Sequence, residues 1–131
     1  MTSPPPLRPT RVRLARPVRD LQRSARFYLD VVGLEQLTSF AGHDGFDGVI
    51  LAAGPALEIE LVHGPSGLPV PTPTHEDLIV LWLTVEPFLA VQRRLAAAGH
   101  PPFAHPNPFW ARNGAVAYTD PEGYVLVLAP S

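Results

Sequence analysis

Cysteine and lysine are both absent from the 131 residues, and methionine occurs once. Without cysteine there is no disulfide framework, no thiolate metal site and no cysteine nucleophile. Without lysine, all ten basic side chains are arginines, which stay charged at every accessible pH. Long apolar runs are also missing: none approaches the roughly 20 residues of a membrane span. The opening "MTSPPPLRPT" has no apolar core of a signal peptide, so a soluble cytoplasmic protein with no membrane partner is expected. The formal charge of -2 and the lack of lysine argue against a nucleic-acid partner, although seven arginines lie between Arg8 and Arg26. Alternate arginines there fall on a strand and a helix that both need a solvated face.

What the chain does have is 46% hydrophobic residues punctuated by 17 prolines and 10 glycines. The length fits one compact domain with a real core. An offset of 66 superimposes "VRD" (18–20) on "TVE" (84–86), Gly33 on Gly99, "DGV" (47–49) on "NGA" (113–115) and Pro55 on Pro121. Each matched pair plays the same structural part. In the first half Asp20 caps a helix striped by Leu21, Ala25, Tyr28 and Val32 and stopped at Gly33. In the second, Pro87 suits the first helical position, Phe88, Val91, Leu95 and Ala98 make the stripe, and Gly99 ends it. Strands are predicted over Val12 to Arg16, Leu37 to Phe40, Val49 to Ala53 and Leu57 to Val62. In the second half they are predicted over Leu78 to Val85, Ala115 to Thr119 and Tyr124 to Leu128, while prolines obscure a counterpart near Phe103. The reading is an α+β fold of two tandem βαβββ modules, residues 11–63 and 78–130, in one domain spanning 11–131. Residues 1–10 read as a flexible tail, and "GPSGLPVPTPTHED" (64–77) as a linker.

Two stretches carry a resemblance: "VRDLQRSARFYLDVVGLE" (18–35), a helix of the pattern D-x-x-x-S-x-x-F-Y-x-x-x-x-G-L, and "DPEGYVLVL" (120–128), a turn and final strand. With "TVEPFLAVQRRLAAAGH" between them, the chain resembles the vicinal oxygen chelate superfamily, which contains glyoxalase I, bleomycin-resistance proteins and extradiol dioxygenases. The resemblance implies a cupped mixed sheet around a cavity, frequent homodimerisation, and either binding or catalysis as the activity. It also implies a metal held by one residue from the first and one from the last strand of each module. Those positions fall on Arg13, Glu60, Ile79 or Val80 depending on register, and Val127, so one ligand of four survives. A permanent cation at Arg13 would repel a metal ion. No metal or other cofactor is therefore expected, and the last strand contributes only apolar wall.

Along "LEIELVH" (57–63) both Glu58 and Glu60 project to one sheet face. A carboxylate at the family's cavity-facing position is unfavourable unless paired, and Arg13 is the available counterion. The expectation is a bidentate Arg13–Glu60 pair that anchors a small-molecule ligand, with a purely structural pair as the alternative. His43, with Asp47 and Glu60, is a candidate polar cluster at one end of the cavity, and His43 and Glu60 are the catalytic candidates if there is catalysis. His63, His75, His100 and His105 read as surface or turn residues. The loop "HPNPFWARNG" (105–114) supplies Phe109, Trp110 and Arg112, and "SFAGHDGFDG" (39–48) supplies Phe40 and Phe46, as aromatic walls for a planar or apolar ligand. The competing reading is a glyoxalase-like lyase or dioxygenase with a divalent metal at Glu60 and His43 or His63.

Overall fold

The computed structural model describes residues 2–65 and 70–131, so residues 66–69 of the expected linker and Met1 of the expected tail lie outside the described residues. The first module runs β1 (Val12–Pro17), α1 (Leu21–Arg26), a π-helical continuation of α1 (Phe27–Val32), β2 (Glu35–His43), β3 (Phe46–Ala52) and β4 (Leu57–His63). The second runs β5 (Leu78–Leu83), α2 (Val85–Ala97), a short α3 (Phe109–Arg112), β6 (Val116–Thr119) and β7 (Val125–Pro130). The sheets have strand orders β1-β4-β3-β2 and β5-β7-β6, with the first strand of each module parallel to its last. This is the two-module α+β architecture expected from the repeat. In the second module the strand equivalent to β2 shrinks to a single bridge, Phe103 to Ala117. Prolines at 101, 102, 106 and 108 remove the backbone donors a longer ladder would need.

Local signals set the first helix. The Asp20 side chain accepts from the Arg23 backbone N–H at 3.1 Å, and Gly33 takes φ +95° beyond the last turn. The π-helical turns widen the buried stripe, so that Phe27 and Tyr28 are both buried beside Val32 and Ser24. Some expected boundaries move. Helix α2 starts at Val85 with Thr84 as its N-cap, which puts Pro87 at the third helical position, still within the turn whose N–H groups lack helical acceptors. The strand expected to reach Val85 stops at Leu83 for the same reason. Strand β2 is longer than the Leu37 to Phe40 expected from pattern, because hairpin pairing with β3 extends a sequence that is polar on both faces.

One core joins the modules. Leu51, Ile59 and Leu61 of the first sheet, Ile79, Leu126 and Leu128 of the second, and Phe27, Tyr28, Val91 and Leu95 of the helices belong to the same buried cluster. Polar contacts clasp the same joint. Tyr28 Oη donates to Asp120 Oδ2 at 2.6 Å, Arg19 Nε donates to Glu122 Oε1 at 3.0 Å, and Arg94 donates to the carbonyls of Val31 and Val32 at 2.9 and 2.8 Å. Buried Arg16 lays its guanidinium over the Tyr124 ring, 4.3 Å from the centroid. Because the helices and the inner sheet faces meet here, the opposite faces of the two sheets point away from this shared core. No helix among the described residues is long and apolar enough to cross a membrane.

Candidate functional site

The outer face of the first sheet carries four charged side chains. In the parallel ladder Arg13 pairs with Glu58 and Ala15 with Glu60, so alternation puts Arg13, Glu58 and Glu60 on the same side. Arg13 Nη1 lies 3.3 Å from Glu60 Oε1, while Arg13 Nε and Nη2 each lie 3.0 Å from Glu58 Oε1. Arg13 and Glu60 are thus in contact, through a single long hydrogen bond rather than the expected bidentate fork. The register explains the difference, since Arg13 sits directly across from Glu58 and reaches Glu60 diagonally. Glu58 also accepts from Arg11 Nε and, at 2.9 Å, from Arg11 Nη2. The Arg13 side chain keeps 37% exposure, against 13% for Glu58 and 17% for Glu60, so the guanidinium presents unused N–H groups outward over two covered carboxylates.

The hydrogen bonds from Arg11 hold the Glu58 carboxyl below the usual glutamate range, with Arg13 adding to the effect. A native pKa below the unfolded one gives stability that is present above the unfolded value and lost as pH falls through the native value. Substituting Arg11→Gln raises the native value toward the ordinary one. Acid unfolding followed by circular dichroism should therefore begin at higher pH in that variant; an unshifted transition would remove Glu58 from the acid response.

The four positions at which the superfamily holds its metal fall on the outer faces of the two sheets. Val80 pairs with Val127, and Val127 with Ala117, on the outer face of the second sheet. Ile79 points inward, 8% exposed, as part of the joint core, so Val80 occupies the third position. The set is a guanidinium, a carboxylate and two valines. One oxygen donor already hydrogen-bonded to a cation does not fit a divalent ion. Among the described residues no three histidine, aspartate or glutamate side chains converge elsewhere.

The histidines sort by face. His43 pairs with Phe46 across the hairpin, while Glu60 pairs with Ile50, four residues along β3, or about 13 Å at strand rise. His43 is exposed and stacks on the Phe40 ring, whose own position over Gly48 leaves no room for a Cβ there. Asp47 pairs with His63, three residues from the Ile50–Glu60 pair, so both project to the helix side of the sheet. There Asp47 accepts from the Gly42 backbone at 2.8 Å, and His63 Nδ1 lies 3.0 Å from the Val18 carbonyl. The structure therefore does not bring His43, Asp47 and Glu60 into one cluster. It does not bring His63 to Glu60 either, which leaves the alternative metal site without a converging donor pair.

The outer face of the second sheet is apolar. Val125 and Val127 are fully buried, and Ala117, Leu78, Val80, Phe103 and Trp110 pack with them. The stretch expected as a loop turns through α3, which lays Trp110 onto this face with its Nε1 buried and unpartnered. Phe109 stands edge-on to Trp110 at 5.1 Å and remains 48% exposed, and Arg112 lies exposed at the rim. His105 has a fixed role the sequence did not reveal. Its Nδ1 accepts from the Asn107 backbone N–H at 3.0 Å, which places the proton on Nε2, 2.7 Å from the His75 carbonyl. Among the described residues, no ion pair, ring contact or packed cluster joins Phe109, Trp110 and Arg112 to Arg13 and Glu60, which lie on the faces opposite the common core. The sequence reading also missed that Glu58 is the more heavily bonded carboxylate; Arg11, two residues before Arg13 on the same strand face, was the available signal.

The description "YycE-like N-terminal domain" matches residues 12–59, and "YycE-like C-terminal domain" matches residues 76–130. The uncharacterized protein YycE of Bacillus subtilis (strain 168) is 34% identical over 125 residues, covering 92% of this chain and 87% of that protein. A crystal structure of a YycE protein from Bacillus subtilis superimposes with a TM-score of 0.83 at 27% identity, over 93% of this chain and 90% of that one. Glyoxalase I from Leishmania major has a TM-score of 0.70 at 20% identity, over 95% and 87% of the two chains. TnmS3, an antibiotic binding protein from Streptomyces sp. CB03234, has a TM-score of 0.65 at 22% identity, over 95% and 96%. The last two share the fold.

Proposed function

This chain belongs to the YycE-like family of the vicinal oxygen chelate superfamily, and from that premise we propose that it binds a small molecule anchored by Arg13 and Glu60, without the superfamily's metal ion. The observation that carries the reading is the Arg13 guanidinium, at a vacated metal position, 3.3 Å from Glu60, the one carboxylate ligand retained. An organic cation there supplies fixed positive charge and directional N–H donors, where a metal would supply Lewis acidity. It recognises an acceptor group on the ligand, and Glu58 and Glu60 keep it aimed outward. Binding of this kind needs no proton transfer and no covalent step. TnmS3, an antibiotic binding protein of the same fold, supports sequestration as a workable activity for it.

A cavity of this design needs a second wall. The outer face of the second sheet offers one, where Val80 and Trp110 cover buried Val127 and Trp82 is 63% exposed on the same face. Since no such contact joins the two outer faces among the described residues, the reading places the partner's second sheet over Arg13 and Glu60 in a homodimer. The edge strands β1 and β5, with exposed Val12, Leu14 and Trp82, present open backbone and apolar surface for that contact.

Four measurements test this. A thermal-shift screen of metabolites and antibiotics identifies ligands by raised apparent stability, and calorimetry on the strongest then compares the wild type with Arg13→Gln. Losing charge-assisted hydrogen bonds should weaken binding by about tenfold; equal affinity would refute the anchor. Stoichiometric zinc, nickel, iron or manganese in protein purified without chelator would refute the metal-free reading. Trp82→Glu should convert a dimer to a monomer by light scattering, and an unchanged mass would reject the shared cavity.

A further inference from the structure

The six arginines from Arg11 to Arg26 do not act together. Arg11 and Arg13 are held by Glu58 and Glu60, Arg16 by the Tyr124 ring, and Arg19 by Glu122. Arg23 and Arg26 make no ion pair among the described residues and are exposed. With Phe27 and Asp30, where the helix continues in its π-helical turns, they line the same side of it. That side borders an open cleft of about 620 Å³, closed on the far side by His100 after α2 and by Pro121 of the second module.

We propose that this cleft is a second binding site, for a small phosphomonoester. Two guanidinium groups one helical turn apart present the donor forks that phosphate oxygens accept in pairs. His100 adds a third donor, and its ring packs edge-on against buried Phe27 at 5.0 Å and 78°, which fixes its direction. The end of α2 would ordinarily repel an anion through its free carbonyls. Here Ala98, Gly99 and His100 N–H groups bond back to the carbonyls of Arg94, Ala96 and Leu95 at 3.0, 3.1 and 2.9 Å, so three of those carbonyls are already covered. Asp30 opposes a second negative charge on its side of the cleft and suits a hydroxyl instead. The combination selects a phosphate at one end and a polyhydroxylated organic part at the other. A ligand there touches the helix of the first module and the turn of the second, and so ties the modules together.

The site is independent of Arg13 and Glu60, and the test separates them. Calorimetry uses the full chain with inorganic phosphate and with glycerol 3-phosphate, and with glycerol and sodium chloride at matched ionic strength as controls. Saturable binding of glycerol 3-phosphate, tighter than phosphate, is expected, with no heat from the controls. The double substitution Arg23→Gln and Arg26→Gln, at exposed positions that leave the circular dichroism spectrum unchanged, should weaken it at least about tenfold. Asp30→Asn should erase the preference for glycerol 3-phosphate over phosphate, and Arg13→Gln should leave both affinities as they are. No saturable binding by the wild type would overturn the proposal, as would unchanged affinity in the double variant or equal loss in Arg13→Gln.

Discussion

Phe27→Ala should destabilise the protein by about 3–5 kcal/mol, the range for emptying a buried aromatic site. Phe27 is 2% exposed and lies where the modules meet, edge-on to Tyr28 at 5.0 Å and to His100 at 5.0 Å. Removing the ring forfeits its burial and leaves a cavity that neither module can close alone, because its walls come from both. Against a usual total of about 5–15 kcal/mol, the loss approaches half. Urea unfolding should show it as a lower midpoint with an unchanged slope, and the melting temperature should fall by about 10 °C or more. Phe27→Leu, which refills most of the space, should cost clearly less. A loss under about 1 kcal/mol for alanine would mean that the modules are not held by a common core.

The second large effect concerns a buried carboxylate. Asp120 accepts from Tyr28 Oη at 2.6 Å and from the backbone N–H groups of Glu122 and Tyr124 at 2.8 and 3.0 Å. Asp120→Ala strands all three donors and deprives buried Arg16 of a nearby negative charge, for a loss of about 3 kcal/mol or more. Tyr28→Phe removes only one of these bonds and should cost about 1 kcal/mol. The pH dependence distinguishes charge from geometry. Burial raises the Asp120 carboxyl above the ordinary aspartate value, although its hydrogen bonds pull the other way, and burial beside Asp120 pushes the Tyr28 phenol well up. A raised native pKa gives a contribution that is full below the unfolded value and lost as pH rises through the native one. Wild-type stability relative to Asp120→Asn should therefore decline as pH rises from about 4. A difference flat across that window would show that the carboxyl does not titrate abnormally in the folded protein.

Several features were legible in the chain because they depend on neighbours a few residues apart. The Asp20 cap, the left-handed stop at Gly33 and the period-two strands are local, and the 66-residue repeat converts one module into two. Alternation along "LEIELVH" also showed that Glu58 and Glu60 share a face, and the family resemblance drew Arg13 toward Glu60. Register lay beyond that reading. A shift of one residue between β1 and β4 would exchange the faces of every side chain on β1, and only the assembled ladder put Arg13 across from Glu58. The same parity separated Asp47 from Glu60 and turned Ile79 inward while Val80 faces out.

The sequence by itself determined the modules, the helix ends, and that an arginine and a glutamate stand at two of the family's ligand positions. The tertiary structure alone decided that the modules join through their helices, that Arg16 is buried over Tyr124, and that the polar and aromatic faces lie opposite the common core. The physical reason is range. Caps, turns and strand alternation are set by covalent neighbours, whereas packing of one module on another is a sum of many weak contacts between residues far apart in the chain, such as Tyr28 and Asp120.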